Sequence, residues 1–190
     1  PDAVWFTQYF DETGQPLSKV TTDADPAGSP TDLWATEVIR DSSGRVTDVR
    51  TPAANTGYTH STGALTASSS VGLIHSYTRV SGGNEDGFVE ALKWKEGTGG
   101  TAYFVSYRAY SDLTKSVGAA TLVRPYVSTM RSYKTQTSST GSSGTDYDQT
   151  SASWTAHSST VAVKSATSTL PTVDSSRNGS GSATSTIQYF

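Results

Sequence analysis

The sequence predicts an all-β fold, built either as stacked antiparallel hairpins or, alternatively, as a β-sandwich. Three observations carry the prediction. Clusters of Asp, Asn or Ser with Gly recur at short intervals. Such clusters mark turns, because the short polar side chain bonds the backbone ahead and Gly supplies a positive φ. The runs between them are rich in Val, Ile, Thr, Tyr, Phe and Trp, which suit a pleated, half-buried surface. No stretch combines helical periodicity with caps convincingly.

Taken in order, the turn clusters are Asp11-Glu12-Thr13-Gly14, Asp25-Pro26-Ala27-Gly28, Asp41-Ser42-Ser43-Gly44, Ser81-Gly82-Gly83-Asn84 and Gly97-Thr98-Gly99-Gly100. Strands are expected at Val4–Phe10, Leu33–Arg40, Val46–Arg50, Leu73–Val80, Phe88–Lys95, Tyr103–Tyr110, Thr121–Met130 and Ser151–Ala156, each bounded by turn residues. Phe88, Ala91, Leu92 and Lys95 fall at helical spacing, so a short helix over Glu85–Glu96 competes with the strand there. A hairpin is the better reading, because Phe88–Lys95 and Tyr103–Tyr110 flank a Gly-rich turn and the second run is strongly β-prone. From about Ser132 to Thr186 the chain is dominated by Ser, Thr, Gly and Ala. Composition alone makes that a linker. The alternation of Ser151–Ala156 and Val161-Ala162-Val163 favours ordered, Thr-rich strands instead. The chain therefore divides into a hairpin region, 1–131, and a Ser/Thr-rich β segment, 132–190.

Composition bounds the function. Of 190 residues 34% are hydrophobic and 16% charged, both below the usual ~45–50% and ~25%. Roughly a third of the chain is Ser plus Thr. With a formal net charge of −3 no basic patch is evident for neutralising phosphates, so no nucleic-acid partner is expected. No run of 18 apolar residues is present, so no membrane span is expected. The absence of Cys excludes a disulfide framework, a thiolate nucleophile and Cys-ligated zinc. With no initial Met and no signal peptide, Pro1 is expected to be a processed or excised end.

Two segments repeat each other. Tyr9-Phe10-Asp11-Glu12-Thr13-Gly14-Gln15-Pro16-Leu17-Ser18-Lys19-Val20 reads strand, Asp-x-x-Gly turn, strand, and Ile39-Arg40-Asp41-Ser42-Ser43-Gly44-Arg45-Val46-Thr47-Asp48-Val49 repeats that grammar 30 residues on. Gly57–Thr66 is a looser third echo. A hairpin of this kind cannot bury its own faces and needs stacked neighbours. These residues resemble the RHS or YD-repeat family, whose unit reads roughly Tyr-Asp-x-x-Gly-Arg-Leu followed by a short β run. The second segment is nearer, keeping Asp41, Gly44, Arg45 and the apolar Val46, with Arg40 at the Tyr place. In the first, Phe10 takes the Tyr place and Gln15-Pro16 replaces the Arg. The resemblance covers about the first 80 residues. It implies a spiral sheet of hairpins that can form a shell around a cargo domain, in secreted or bacterial cell-surface proteins. The repeat-turn residues it singles out are Asp11, Gly14, Asp41, Gly44 and Arg45. Units here are irregular and separated by insertions, which does not suit a well-closed shell.

Thr7-Gln8-Tyr9-Phe10 also recurs as Ile187-Gln188-Tyr189-Phe190. If the match is more than coincidence, the chain stops where a further copy begins. Tyr9, Phe10, Tyr189 and Phe190 are then candidate assembly-edge residues, because an edge strand is a template for pairing with another chain.

Chemistry-bearing groups are sparse. His60, His75 and His157 have no metal-type spacing, and no nucleophile elbow or phosphate-binding glycine loop is present. Glu85-Asp86, Asp146-Tyr147-Asp148 and Asp23-Ala24-Asp25 offer hard oxygen ligands but fall short of a calcium loop, so solvated turns are expected. Asn178-Gly179-Ser180 matches a glycosylation sequon and is as readily a turn. Trp5, Trp34, Trp94 and Trp154, with Tyr103, Tyr107 and Tyr110, read as cross-strand packing or as a sugar-binding platform. The expectation is a non-catalytic extracellular structural repeat module without cofactors or metals. It would build a shell, fibre or surface layer through strand-edge assembly with adjacent copies or further repeats. The alternative is a carbohydrate-binding or adhesin domain using exposed aromatics.

Overall fold

The computed structural model describes residues 4–25, 27, 32–138, 147–173, 181 and 183–189. Thirteen strands are named among them: β1 Trp5–Phe10, β2 Pro16–Thr22, β3 Leu33–Arg40, β4 Val46–Arg50, β5 Asn55–Thr59, β6 Ala64–Ala67, β7 Leu73–Arg79, β8 Val89–Glu96, β9 Tyr103–Val117, β10 Ala120–Tyr133, β11 Tyr147–Ala156, β12 Val163–Thr169 and β13 Thr184–Gln188. The one helical element named is a 3-10 turn, Pro52–Ala54. Eleven strands form one sheet in the order β1-β2-β3-β4-β7-β8-β9-β10-β11-β12-β13, and β5 with β6 forms a separate two-stranded sheet. The fold is all-β, as the sequence predicts. The order is that of the chain itself, a meander in one sheet, and not two facing sheets of a sandwich. The short helix over Glu85–Glu96 is not formed, since β8 occupies most of it.

Two compact units are present, Pro1–Tyr77 with Lys93–Tyr103, and Thr78–Leu92 with Phe104–Phe190. In the first, residues opposite each other across a strand pair share a face. Val20 stands opposite Ala35, and Ser18 opposite Glu37, which is opposite Arg50, which is opposite Ile74. On this face Val20, Ala35 and Ile74 are buried, together with Ser18 and Thr22. The cover comes from the segment between β4 and β7. Pro52 fixes φ at the start of its 3-10 turn, the chain leaves the sheet, and Ala54 and Asn55 are buried against it. Asn55 Nδ2 donates to the Ala35 carbonyl at 2.7 Å. The third sequence echo thus forms a hairpin, β5–β6, but one lying outside the main sheet.

In the second unit β9 and β10 form one long hairpin that turns at Gly118, where φ is +61°. Sequence reading stops the first of these strands at Tyr110, because Ser111–Val117 mixes charge and hydroxyl with its apolar residues. Leu113, buried opposite Arg124, shows that this stretch still has an inner face. Aromatic pairs supply much of the packing: Phe104 with Tyr133 at 5.4 Å, Tyr133 with Tyr147 at 5.6 Å, and Phe88 with Tyr110 at 5.3 Å. Arg131 lies over the Tyr147 and Tyr107 rings. The described residues of the Ser/Thr-rich segment include β11, β12 and β13, each antiparallel to the one before.

Candidate functional site

The two Asp-x-x-Gly turns share the same main-chain bonds. The Gly14 N–H donates to the Asp11 carbonyl at 3.0 Å and the Asp11 N–H to the Gln15 carbonyl at 2.9 Å. Thirty residues on, Gly44 and Asp41 make the same two bonds, each at 2.9 Å. Both glycines take positive φ, +82° and +77°, which L side chains adopt only with strain. Each turn is followed by a bulge at the same place: Phe10 opposes Pro16 and Tyr9 opposes Ser18, while Arg40 opposes Val46 and Ile39 opposes Asp48. The residues left unopposed are Leu17 and Thr47, on the strand beyond each turn, while Gly14 and Gly44 close the turns themselves.

The aspartates hold these turns together. Asp11 Oδ1 accepts from the Thr13 hydroxyl at 2.6 Å, the Thr13 N–H at 2.8 Å and the Gln15 N–H at 2.9 Å. Asp41 Oδ1 accepts from the Ser43 and Arg45 N–H groups, each at 2.9 Å, and its Oδ2 accepts from Arg45 Nε at 2.8 Å. Bonds to the charged form favour it. The Thr13 hydroxyl and then the Gln15 N–H hold Asp11 below the usual carboxylate range. The Arg45 N–H and then its side chain do the same for Asp41. Arg45 therefore acts inside its own turn.

The candidate edge residues separate into two kinds. β1 and β13 stand at the two ends of the strand order, each paired on one side only among the described residues. Phe10 is 55% exposed, and Tyr189, just beyond β13, is 48% exposed with its N–H donating to the Lys164 carbonyl at 2.9 Å. Phe190 lies outside the described residues, as do Asp146, Pro26, Gly28 and the Asn178–Ser180 sequon. Tyr9, also on β1, has a further task. Its hydroxyl donates to the His60 carbonyl at 2.7 Å and lies 3.2 Å from His60 Nδ1 and 3.3 Å from the Tyr58 hydroxyl. The Tyr58 hydroxyl is 2.6 Å from His60 Nδ1. Burial, then the Tyr9 bond, raises the Tyr58 pKa, keeping the phenol neutral. Gly63 gives the Tyr9 ring its seat, since a Cβ there would stand 2.4 Å from Tyr9 Cγ. Tyr9 thus pins the β5–β6 hairpin onto the sheet. Sequence reading missed this latch; the Tyr58-Thr59-His60 alternation, with both rings on one side, is the signal that marks it.

The remaining groups do not converge. His75 lies against Trp94 at 5.9 Å between centroids. Trp154 is stacked on Tyr126 at 4.8 Å, with Arg124 over its ring. Asp86 accepts from the Gly82 N–H, and Asp25 from the Ala27 N–H, as turn residues do. Among the described residues no three His, Cys, Asp or Glu side chains are grouped to hold a metal ion, and no helix is long and apolar enough to cross a membrane. No protein-family model matches the chain, and no curated protein or solved structure proves similar to it.

Proposed function

We propose that this chain is a non-catalytic structural repeat module, of the kind the RHS or YD-repeat resemblance implies, that builds a larger sheet through its strand edges. The observation that carries the reading is the pair of Asp-x-x-Gly hairpins with the same main-chain bonds at a 30-residue spacing, set in a meander whose terminal strands are paired on one side only among the described residues. Adjacent copies, or further repeats of the same protein, are the proposed partners, and an enclosed cargo domain fits the same reading. A setting outside a bacterial cell, secreted or on its surface, accords with a cysteine-free chain rich in Ser and Thr. The mechanism is strand addition: main-chain bonds supply affinity, and the alternate side chains set register.

Sedimentation and electron microscopy across a concentration series test the reading. Along an edge strand successive N–H groups point alternately inward and outward. One of Ser185→Pro and Thr186→Pro therefore removes an outward donor, and the other an inward one. The first is expected to stay folded and lose assembly, and the second to loosen β13 itself. A wild-type chain that remains monomeric at every concentration would overturn the proposal.

A further inference from the structure

β1 is the first strand of the sheet order and is paired on one side, by β2, among the described residues. The turn that follows it fixes which of its main-chain groups face outward. The Asp11 N–H donates to the Gln15 carbonyl, and the Asp11 carbonyl accepts from the Gly14 N–H, so both groups of Asp11 point inward. Along a strand the N–H and C=O of one residue share a side, and successive residues alternate. The unopposed residue Leu17 is on β2, so the alternation along β1 is unbroken. Trp5, Thr7 and Tyr9 therefore bond toward β2, while Phe6, Gln8 and Phe10 bond outward. The side chains of these three lie on the face away from Val20, and Phe6 and Phe10 are exposed. Charge and proline are the usual protections of an open edge, and Trp5–Phe10 contains neither.

We propose that β1 pairs antiparallel with β1 of a second copy, about a two-fold axis through Gln8. This rests on the strand-edge reading above and names the partner strand and its register. Centred there, Gln8 stands opposite Gln8 of the second copy, and Phe6 opposite its Phe10, twice over by symmetry. Every outward N–H and C=O of the strand is then used, each opposed pair exchanging both bonds. The phenylalanines form cross-strand aromatic pairs, which are favourable. On the other face the small Thr7 falls beside the second copy's Tyr9, whose ring is seated on Gly63. A two-fold contact sets like charge toward like, and here the distances are long. Lys19, opposite Gln8 on β2, is three strand spacings from its counterpart, about 14 Å, and Asp11 is about 20 Å from its own. Both exceed the screening length of ~8–10 Å. β13 is a poorer partner for β1. The Tyr189 N–H and the Ala183 carbonyl bond inward, so Thr184, Thr186 and Gln188 bond outward and would set hydroxyls and a carboxamide against the phenylalanines.

Because the chain has no cysteine, one introduced thiol reports one contact. Opposed residues of a hydrogen-bonded pair have Cα atoms about 5.5 Å apart, within disulfide reach. In this register the two copies of Thr7 are diagonal neighbours about 7–8 Å apart, beyond it. Under mild oxidation at assembling concentrations, Gln8→Cys is expected to form disulfide-linked dimers at least tenfold faster than Thr7→Cys. A mixture of Phe6→Cys and Phe10→Cys chains should link to each other and neither to itself. Gln8 and Phe10 are exposed, and circular dichroism with sedimentation of the reduced variants checks that fold and assembly persist. Equal rates for Thr7→Cys and Gln8→Cys overturn the inference. Preferential linkage of Gln8→Cys to Thr186→Cys chains also overturns it, by making the contact β1 to β13, and leaves strand-edge assembly standing. Assembly with no cross-link through β1 has the same consequence, whereas a chain that is monomeric at every concentration removes both.

Discussion

The sheet of the first unit and the strands β11–β13 use the same backbone ladder and opposite means of holding it. In the first unit Val20, Ala35 and Ile74 are at most 1% exposed beneath the segment that carries Ala54 and Asn55. In β11–β13 no residue is buried, and every residue of β13 is exposed. What ties those strands sideways is hydroxyl on hydroxyl: Thr155 with Ser165 at 2.6 Å, and Thr167 with Thr186 at 3.1 Å. A fully buried aliphatic side chain contributes about 1.5–3 kcal/mol, and a cross-strand pair about 0.2–1 kcal/mol. The first region is thus stabilised by what lies on it, the second by what lies beside it. A ladder of the second kind gains most from another strand added at its edge, which is where the proposed assembly would act.

Substitutions that break this contrast have graded effects. Ile74→Ala should cost about 2–5 kcal/mol, because the covering segment cannot collapse into the space left, and thermal or urea denaturation checks it. Asn55→Ala leaves the buried Ala35 carbonyl without its side-chain donor and should cost about 1–3 kcal/mol, with faster hydrogen exchange at β5 and β6. Thr167→Val, in the open ladder, should change stability by no more than about 1 kcal/mol. Equal losses from Ile74→Ala and Thr167→Val would erase the distinction.

Acid sharpens the comparison at the turns. Asp11 and Asp41 have lower pKa values in the folded chain than in the unfolded one, so the unfolded chain takes up protons first. The stability they contribute is intact above about pH 4, the unfolded carboxylate value, and is lost as pH falls through their folded-state pKa values. Replacing both by Asn should flatten the acid limb of the stability curve, read by denaturation at stepped pH. The hydroxyl ladder of β11–β13 has no such dependence.

Much of this architecture is legible in the sequence. Leu33–Arg40 and Val46–Arg50 are strands with the boundaries their residues predict, since turn clusters delimit them on one or both sides. The Asp-x-x-Gly segments predict both turns because Asp bonds forward and Gly takes the positive φ. The departure of β5–β6 from the sheet is not legible. Their residues resemble any other hairpin, and only the pairing of β4 with β7 reveals that the chain has stepped out. Tyr9 reads as an edge residue from its echo at Tyr189, and its latch on the β5–β6 hairpin is a further role, fixed by contacts some 50 residues away. Trp34 and Trp94 are equivalent as sequence symbols. The neighbouring strand decides between them, by placing His75 against one and Thr21 beside the other.

Hydrogen exchange as a function of protein concentration tests strand-edge assembly most directly. If copies pair through β1 and β13, the outward-facing amides of those two strands should gain protection as concentration rises, while those of β2 and β12, already paired on both sides, stay unchanged. Edge amides that exchange at the same rate at every concentration would contradict it.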